Sequence, residues 1–397
     1  MYHVPTVFIL GAGASWHYGY PTGEELVKMV IARADAAARY FSSSMEGLAG
    51  RLPLYITDRM DSAGALREAF ERARNEATEL ASRLRQVNPL VIDYFLGQNK
   101  SLQSIGTLLI AWVILECELN YINKNGNFNR QKIITNSPNP QVRYVVDDLR
   151  LFKDDWYRFI IQKLAIGYDS PEQLLKNKVH FVTFNYDVSL ERALYKGLRS
   201  IEFLNPPCTA YVDTFLARNR IMHVYGKVLD NFKSDPTPLK WELPLRTDIT
   251  PSEPHAEDYR AVFDAAYNAS KSIRVIDPDN KTADGDIINT AKEAISKAKC
   301  VYILGYGFDK TNNDNILDLV KSLHIDNRKW VLFTNYNDSN RITKRASRVM
   351  FGIPNQTFGH PMGDVRGDNH YFEMSTRDTY EALELDFDAP DDEPPPG

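Results

Sequence analysis

An apolar run, Thr6-Val7-Phe8-Ile9-Leu10, passes without a break into Gly11-Ala12-Gly13-Ala14-Ser15, and this junction constrains the fold more than any other stretch. A short aliphatic run of this kind fits a buried strand of a parallel sheet. Glycines at 11 and 13 permit a sharp turn and a close backbone approach to a pyrophosphate, with amides facing the phosphate. The third glycine of G-x-G-x-x-G is absent, and the same residues also fit a plain strand-to-helix turn. Past Gly19 and Pro21, Thr22 and Glu25 make a capping box, and Leu26, Met29, Val30 and Ala34 recur on one helical face. A helix therefore follows the glycine turn with its positive end near it.

Further strand-like runs each deliver a polar or glycine-rich loop. Lys178 to Phe184 leads into Thr183-Phe184-Asn185-Tyr186-Asp187, and Ile221-Met222-His223-Val224-Tyr225-Gly226-Lys227 reads as an extended segment. Cys300 to Leu304 precedes Gly305-Tyr306-Gly307-Phe308-Asp309 and Asn312, and Lys329 to Thr334 precedes Asn335-Tyr336-Asn337. Ser272 to Ile276 reads as one more strand. The helical spacing of Ile287, Ile288, Ala291, Ala294, Ile295 and Ala298 feeds the Cys300 run, as a doubly wound sheet requires. Residues 40 to 175 read as helical, with Leu66, Phe70, Ala73, Ala77, Leu80 and Leu84 on one stripe and a second helix from Leu102 through Leu119. Ile105 to Leu115 is the most apolar stretch, but it falls short of the roughly 18 residues of a membrane helix and reads as a buried one.

With 397 residues there is ample core, and a net charge of −5 gives no electrostatic reason to expect nucleic acid or an anionic membrane. Three scattered cysteines and no leader-like segment fit a soluble cytoplasmic protein. Arg341, Lys344, Arg345 and Arg348 recur at helical spacing, as either a solvated face or a phosphate-side contact. The proline-rich, acidic residues 386–397 are expected to be disordered.

The spacing Gly11-Ala12-Gly13-Ala14-Ser15, three residues, Gly19, one residue, Pro21 resembles the first motif of sirtuins. Thr183-Phe184-Asn185-Tyr186-Asp187 is similar to their Thr-x-Asn-x-Asp motif, the segment ending at Gly226 to their His-Gly strand end, and Gly305-Tyr306-Gly307-Phe308 to a late glycine turn. The four islands stand in the family's order. The resemblance implies an α/β fold, a Rossmann-like doubly wound parallel sheet of the sirtuin type with a large helical insertion. Residues 1–40 and 176–385 would form the nucleotide-binding domain and 41–175 the helical cap. Ile92-Asp93-Tyr94-Phe95-Leu96 also resembles a segment of bacterial sirtuin-like proteins; no chemistry attaches to it, and Asp93 also reads as a helix cap.

The departures redirect the function. Cys117, Cys208 and Cys300 cannot build the four-cysteine zinc module of the deacylases, so no metal is expected. Thr22-Gly23-Glu24 replaces the Asp-Phe-Arg that follows the proline in deacylases. What remains resembles the bacterial sirtuin-like domains that hydrolyse NAD+ in antiphage defence. The resemblance implies an NAD+ glycohydrolase releasing nicotinamide and ADP-ribose, held in check by homo-oligomerisation or a separately encoded sensor. The alternative is a catalytically silent sensor of NAD+ or an ADP-ribose-type nucleotide. In either case NAD+ would lie against Gly11, Ala12, Gly13, Ala14, Ser15, Pro21, Thr183, Gly305, Gly307 and Phe308, with Asn335 at the adenosine ribose or simply in a turn.

On the same resemblance Asn185 would position water and Asp187 would hold the nicotinamide amide. Both also fit a capped helix start at Val188-Ser189-Leu190-Glu191. Tyr225 stands where the family has its histidine, and His223 lies two residues earlier. In an extended segment the two would share a face about 7 Å apart. His223 titrates near neutrality and is the better base, while a strand-edge histidine is its plain structural reading.

Overall fold

The computed structural model describes residues 1–16, 18–43, 52–60, 65–121, 130–133, 143–146, 156–165, 170–199, 201, 209–217, 220–229, 256–275, 285–310, 312–313, 318, 323, 329–335, 339–351 and 370–374. Cys208, Tyr336, Asn337 and the tail 386–397 lie outside them. Strand β1 (Thr6–Leu10) is buried along its whole length, as its unbroken apolar run requires. It pairs in parallel with β4 (Val179–Thr183) on one side and β6 (Cys300–Leu304) on the other. Adding β5 (Ile221–His223), β7 (Trp330–Thr334) and β8 (His370–Met374) gives an all-parallel six-stranded sheet in the order β5-β4-β1-β6-β7-β8. The chain winds outward from β1 to β5, then returns to the other side of β1 and winds outward again. That reversal is the doubly wound, Rossmann-like arrangement, and it opens a crevice between the carboxyl ends of β1 and β6.

The helices follow their local signals. After β1 comes a five-residue helix, α1 (Ala12–Trp16), so the long helix α2 (Gly23–Ser43) does not leave the glycine turn directly. The capping box at its start is reciprocal: the Thr22 amide donates to Glu25 Oε2 at 2.9 Å, and the Glu25 amide donates to Thr22 Oγ1 at 3.4 Å. A four-residue helix, α3 (Leu54–Thr57), comes next, and the stripe of α4 (Leu66–Val87) buries Phe70, Ala73, Ala77, Leu80 and Leu84. Helix α6 (Gln103–Tyr121) contains the apolar run Ile105–Leu115, whose aliphatic and aromatic side chains are at most 4% exposed, so it is a core helix. Between α4 and α6 lies α5 (Ile92–Gln98). After α6, β2 (Arg130–Ile133) and β3 (Arg143–Val146) pair antiparallel, a ladder that the helical reading of 40–175 does not contain. Helix α7 (Trp156–Ala165) packs on α8 (Ser189–Arg199), and α9 (Thr209–Ala217) precedes β5. Helices α10 (Ala256–Ser270) and α11 (Gly285–Lys297) precede β6, and α12 (Asn340–Phe351) follows β7.

Residues 272–275 do not form a strand, and Ile276 lies outside the described residues. Lys271 and Ser272 turn, and Ile273 makes a single antiparallel bridge with Gly226. Lys329, read as the first residue of the seventh strand, is fully buried, and its amine donates to the Ser296 and Ala298 carbonyls at the end of α11. A cation there meets the negative end of the helix.

Gly305 holds the centre of the sheet together. Its φ is +57°, and a Cβ there would stand 2.1 Å from the Ala14 nitrogen. Gly305→Ala should therefore destabilise the protein by about 3–5 kcal/mol, combining left-handed strain with overpacking. Urea unfolding measures this, and a loss below about 1 kcal/mol would contradict the backbone contact.

Candidate functional site

Parallel register gathers the motifs. Leu10 pairs with Thr183 on one side and Leu304 on the other, and Thr183 pairs with His223. The loops 11–15, 184–188, 224–227 and 305–308 therefore leave one edge of the sheet at the same level. That edge is the carboxyl end, where ligands bind in doubly wound folds.

The loop Asn185–Val188 is pinned from many directions. Thr183 Oγ1 accepts the Asn185 amide at 3.1 Å, so this threonine organises the turn. Asn185 Nδ2 donates to Ser15 Oγ at 3.0 Å, tying the loop to α1. Tyr186 accepts the Val228 amide at 2.9 Å through its carbonyl and donates its hydroxyl to Asp93 of α5. Asp187 Oδ1 accepts the Ser189 amide at 3.1 Å and the Ser189 hydroxyl, an Asx turn at the entry to α8. Its helix-start reading is thus realised, and burial pushes its carboxyl up against the opposing effect of these hydrogen bonds. The Val188 amide donates to Glu118 Oε1 of α6 at 3.0 Å. Asn185 Oδ1 is buried and has no hydrogen-bond partner among the described residues, as is true of Glu191 Oε2 nearby.

His223 and Tyr225 do not share a face. The strand ends at His223, residues 224 and 225 turn, and Gly226 has φ +74° with Ser272 O only 1.9 Å from where its Cβ would lie. His223 Nδ1 lies 2.9 Å from the Asn185 carbonyl, and Nε2 lies 2.7 Å from Glu191 Oε1. A carbonyl only accepts, so Nδ1 carries a proton, and a carboxylate at Nε2 holds the second. Both ring nitrogens are engaged, and His223 is a brace for Asn185 rather than a free base. Burial acts to raise Glu191 and lower His223, but their mutual attraction prevails and Lys227 adds to the pull on Glu191. The net result is a lowered Glu191 and a raised His223. Tyr225 donates its hydroxyl to Asn312, and burial holds its pKa well above the usual tyrosine value, so it is no base at neutral pH.

The two glycine turns meet backbone to backbone. The Gly11 amide donates to Leu304 O and the Gly13 amide to Gly305 O, both at 3.0 Å. Those two amides do not face a phosphate, and the close approach the glycines permit is to each other's turn. Ala12 is partly exposed, Ala14 and Ser15 are buried, and Pro21 is buried just before α2. Trp156 Nε1 donates to the Ala14 carbonyl at 2.8 Å. Gly307 is different: it is exposed, and an added Cβ would meet nothing within 4 Å. Phe308 follows with φ +46°, an unusual conformation for a bulky residue, and packs on Tyr306 and Phe333. The guanidinium of Arg345 on α12 donates to the Gly307 carbonyl at 3.0 Å, so one member of the basic stripe does reach this edge. Asn335 is 1% exposed with its amide engaged by its own loop: Oδ1 accepts the Ser339 amide, and Nδ2 donates to Ser339 O and Thr343 Oγ1. Its turn reading is the one realised.

Several site residues carry no distinguishing signal in the sequence. Glu191 and Glu118 look like ordinary helix acids. Phe184, Tyr186, Tyr225 and Tyr306 form one buried aromatic wall, with neighbouring ring centroids 5.3–6.1 Å apart, only because three strand ends converge. A surface hollow of about 660 Å³ between α2 and α4, lined by Asp35, Arg39, Thr78 and Arg85, contains none of these groups.

No protein-family model matches the sequence, and a search of curated proteins finds no match.

The His223–Glu191 pair fixes a pH dependence. His223 has a raised folded pKa, so its contribution is full below its ordinary value of 6.5 and is lost as pH rises through the folded value. Glu191, lowered when folded, contributes above 4.5 and loses its effect as pH falls through its folded value. His223→Gln should therefore cost more stability at about pH 6 than at about pH 9 in urea unfolding, and equal costs would rule out the charged pair.

Proposed function

We propose that the chain is an NAD+ glycohydrolase of sirtuin-like type, cleaving NAD+ to nicotinamide and ADP-ribose, with Asn185 placing the attacking water. The observation that carries this reading is the Asn185 side chain. It is buried at the crevice edge, its nitrogen is fixed on Ser15, and its oxygen has no partner among the described residues. A buried, oriented acceptor of this kind suits a water or substrate hydroxyl. The resemblance of four motifs to sirtuins and the doubly wound strand order support the same reading.

Breaking the bond between nicotinamide and ribose develops oxocarbenium character, as in glycoside hydrolysis. Departure of neutral nicotinamide, which leaves the positive charge on the ribose, then precedes most of the attack by water, so positioning matters more than deprotonating the nucleophile. Asn185 Oδ1 would accept one water proton and aim the oxygen at the anomeric carbon. The buried rings of Phe184, Tyr225 and Tyr306 would exclude further water. The Asp187 carboxyl, held by Ser189, and the Glu191 carboxyl, held by His223, would lie on the side of the developing cation. A role as an antiphage effector restrained by an oligomer or a partner belongs to this reading through the resemblance, because unchecked NAD+ loss harms the host.

A second reading, a silent sensor of NAD+ or ADP-ribose, draws support from the engaged nitrogens of His223 and the high pKa of Tyr225, which leave neither as a base.

Purified protein incubated with NAD+ tests both readings by nicotinamide release. Wild type should turn over, and Asn185→Ala should be about 100-fold slower or worse. Tight ADP-ribose binding without release would select the sensor, and neither binding nor release would sink both. Gly307→Ala tests the crevice separately: a methyl there meets open space, so thermal stability should hold while ADP-ribose affinity falls about tenfold or more. Unchanged affinity would place the nucleotide elsewhere.

A further inference from the structure

Two carboxylates reach from the long connection between β1 and β4 into the loop that carries Asn185. Asp93 sits in the first turn of α5 but does not cap it; the residue at the cap position is Val91, in extended conformation and with no side-chain cap. Asp93 is instead 6% exposed and accepts the Tyr186 hydroxyl. Glu118 on α6 is fully buried, accepts the Val188 amide through one oxygen and pairs with the Arg192 guanidinium through the other.

Glu118 has a cation to offset its desolvation, whereas the side chain that meets Asp93 is a neutral phenol. Burial accordingly pushes Asp93 up to about 6 against the effect of that hydrogen bond. Keeping an acid in such a place is unfavourable, and an apolar pair at these two positions would remove the desolvation penalty. What an apolar pair cannot do is fix the direction of the tyrosine. Tyr186 is buried, its ring stacks on Tyr225 at 6.1 Å, and its carbonyl accepts Val228 N–H. With the hydroxyl anchored as well, the residue following Asn185 is held at both ends.

We propose that Asp93 is a positioning residue for the Asn185 loop, acting through the Tyr186 hydroxyl, while Glu118 fixes the far end of the loop through the Val188 amide. The Ile92-Asp93 segment thereby has a function that lies outside helix capping. The proposal rests on Asn185 being the working residue of the site, but its first test does not require turnover.

Hydrogen exchange at the Asn185 and Val188 amides is measured without nucleotide in wild type, Asp93→Leu, Asp93→Asn and Tyr186→Phe. Asp93→Leu and Tyr186→Phe should each exchange at least tenfold faster at Asn185, and Asp93→Asn, which keeps an acceptor oxygen, should restore protection. Combining Asp93→Leu with Tyr186→Phe should add little beyond either alone, as expected of two partners in one interaction. In the NAD+ assay Asp93→Leu and Tyr186→Phe should each lower kcat about tenfold with KM unchanged, the signature of lost alignment, and Asp93→Asn should keep the wild-type kcat. Wild-type exchange at Asn185 in Asp93→Leu, or fully additive effects in the double variant, would overturn the proposal. If Asp93→Leu does not fold, Tyr186→Phe, which deletes one oxygen, decides alone. Faster exchange in the variants of a protein that never cleaves NAD+ would leave the positioning role standing and remove the hydrolase.

Discussion

The contact on which the rest depends is made by backbone alone. At the middle of the sheet the turn after β1 and the turn after β6 lie so close that the Gly13 amide donates to the Gly305 carbonyl, and no side chain fits at positions 11, 13 or 305. Because β1 and β6 flank the point where winding reverses, this contact sets the floor of the crevice and the level from which the neighbouring loops depart. Asn185 is held on Ser15, Ser15 belongs to the short helix that begins at that contact, and Trp156 grips the Ala14 carbonyl beside it.

Around this floor the protein keeps an unusual concentration of buried charge. Asp93, Glu118, Asp187 and Glu191 are all at most 6% exposed, and the buried basic groups that answer them are Arg192 and His223. Asp93 and Glu118 are pushed up to about 6 and Asp187 is raised, all chiefly by burial, whereas Glu191 beside His223 is lowered. The raised acids weaken the fold as pH rises through the interval between their unfolded and folded values, while the lowered Glu191 strengthens it from 4.5 upward. These groups brace a loop at a cost, and they do so through amides and hydroxyls that belong to adjacent residues, which makes the loop rigid where a catalytic geometry needs rigidity.

Much of the architecture was legible in the sequence because its signals are local. Apolar runs of five residues ending in glycine or Thr-x-Asn locate β1, β4 and β6, and the reciprocal Thr22–Glu25 cap marks where α2 starts. The failures share a cause: each depends on a contact distant in sequence. His223 and Tyr225 were expected on one face because nothing local stops the strand; it stops because Gly226 must take a left-handed turn beneath the Ser272 carbonyl. The same bridge leaves Ile273 as a lone pairing and no strand at 272–275. The glycines of the first turn fit a phosphate approach or a plain strand-to-helix turn, and what they contact here is the backbone of the second turn, far along the chain. Asp93 gave no chemical signal because its partner lies 93 residues away. The pairing of β2 with β3 shows no alternation that a helical reading would have to yield to.

The balance of charge bears on the two functional readings. A protein that only senses a dinucleotide needs cations or free amides at the phosphates; the amides of Gly11 and Gly13 are taken, and among the described residues the cations at this edge are Lys227, which faces Glu191, and Arg345, which holds the Gly307 carbonyl. The inner wall, by contrast, holds four carboxylates among the described residues, of which Glu118 and Glu191 are paired with Arg192 and His223 while Asp93 and Asp187 meet hydroxyls, and that acidic excess is complementary to positive charge. NAD+ carries its positive charge on the nicotinamide ring, and cleavage moves that charge onto the ribose. Negative potential held in place by fixed hydrogen bonds stabilises the second distribution without reorganising, which is differential binding of the transition state. A dissociative transition state also asks little of a base, so a histidine with both nitrogens engaged is no obstacle to hydrolysis. The buried acids, costly to a passive binding site, are intelligible in one that must tolerate a cation on a sugar.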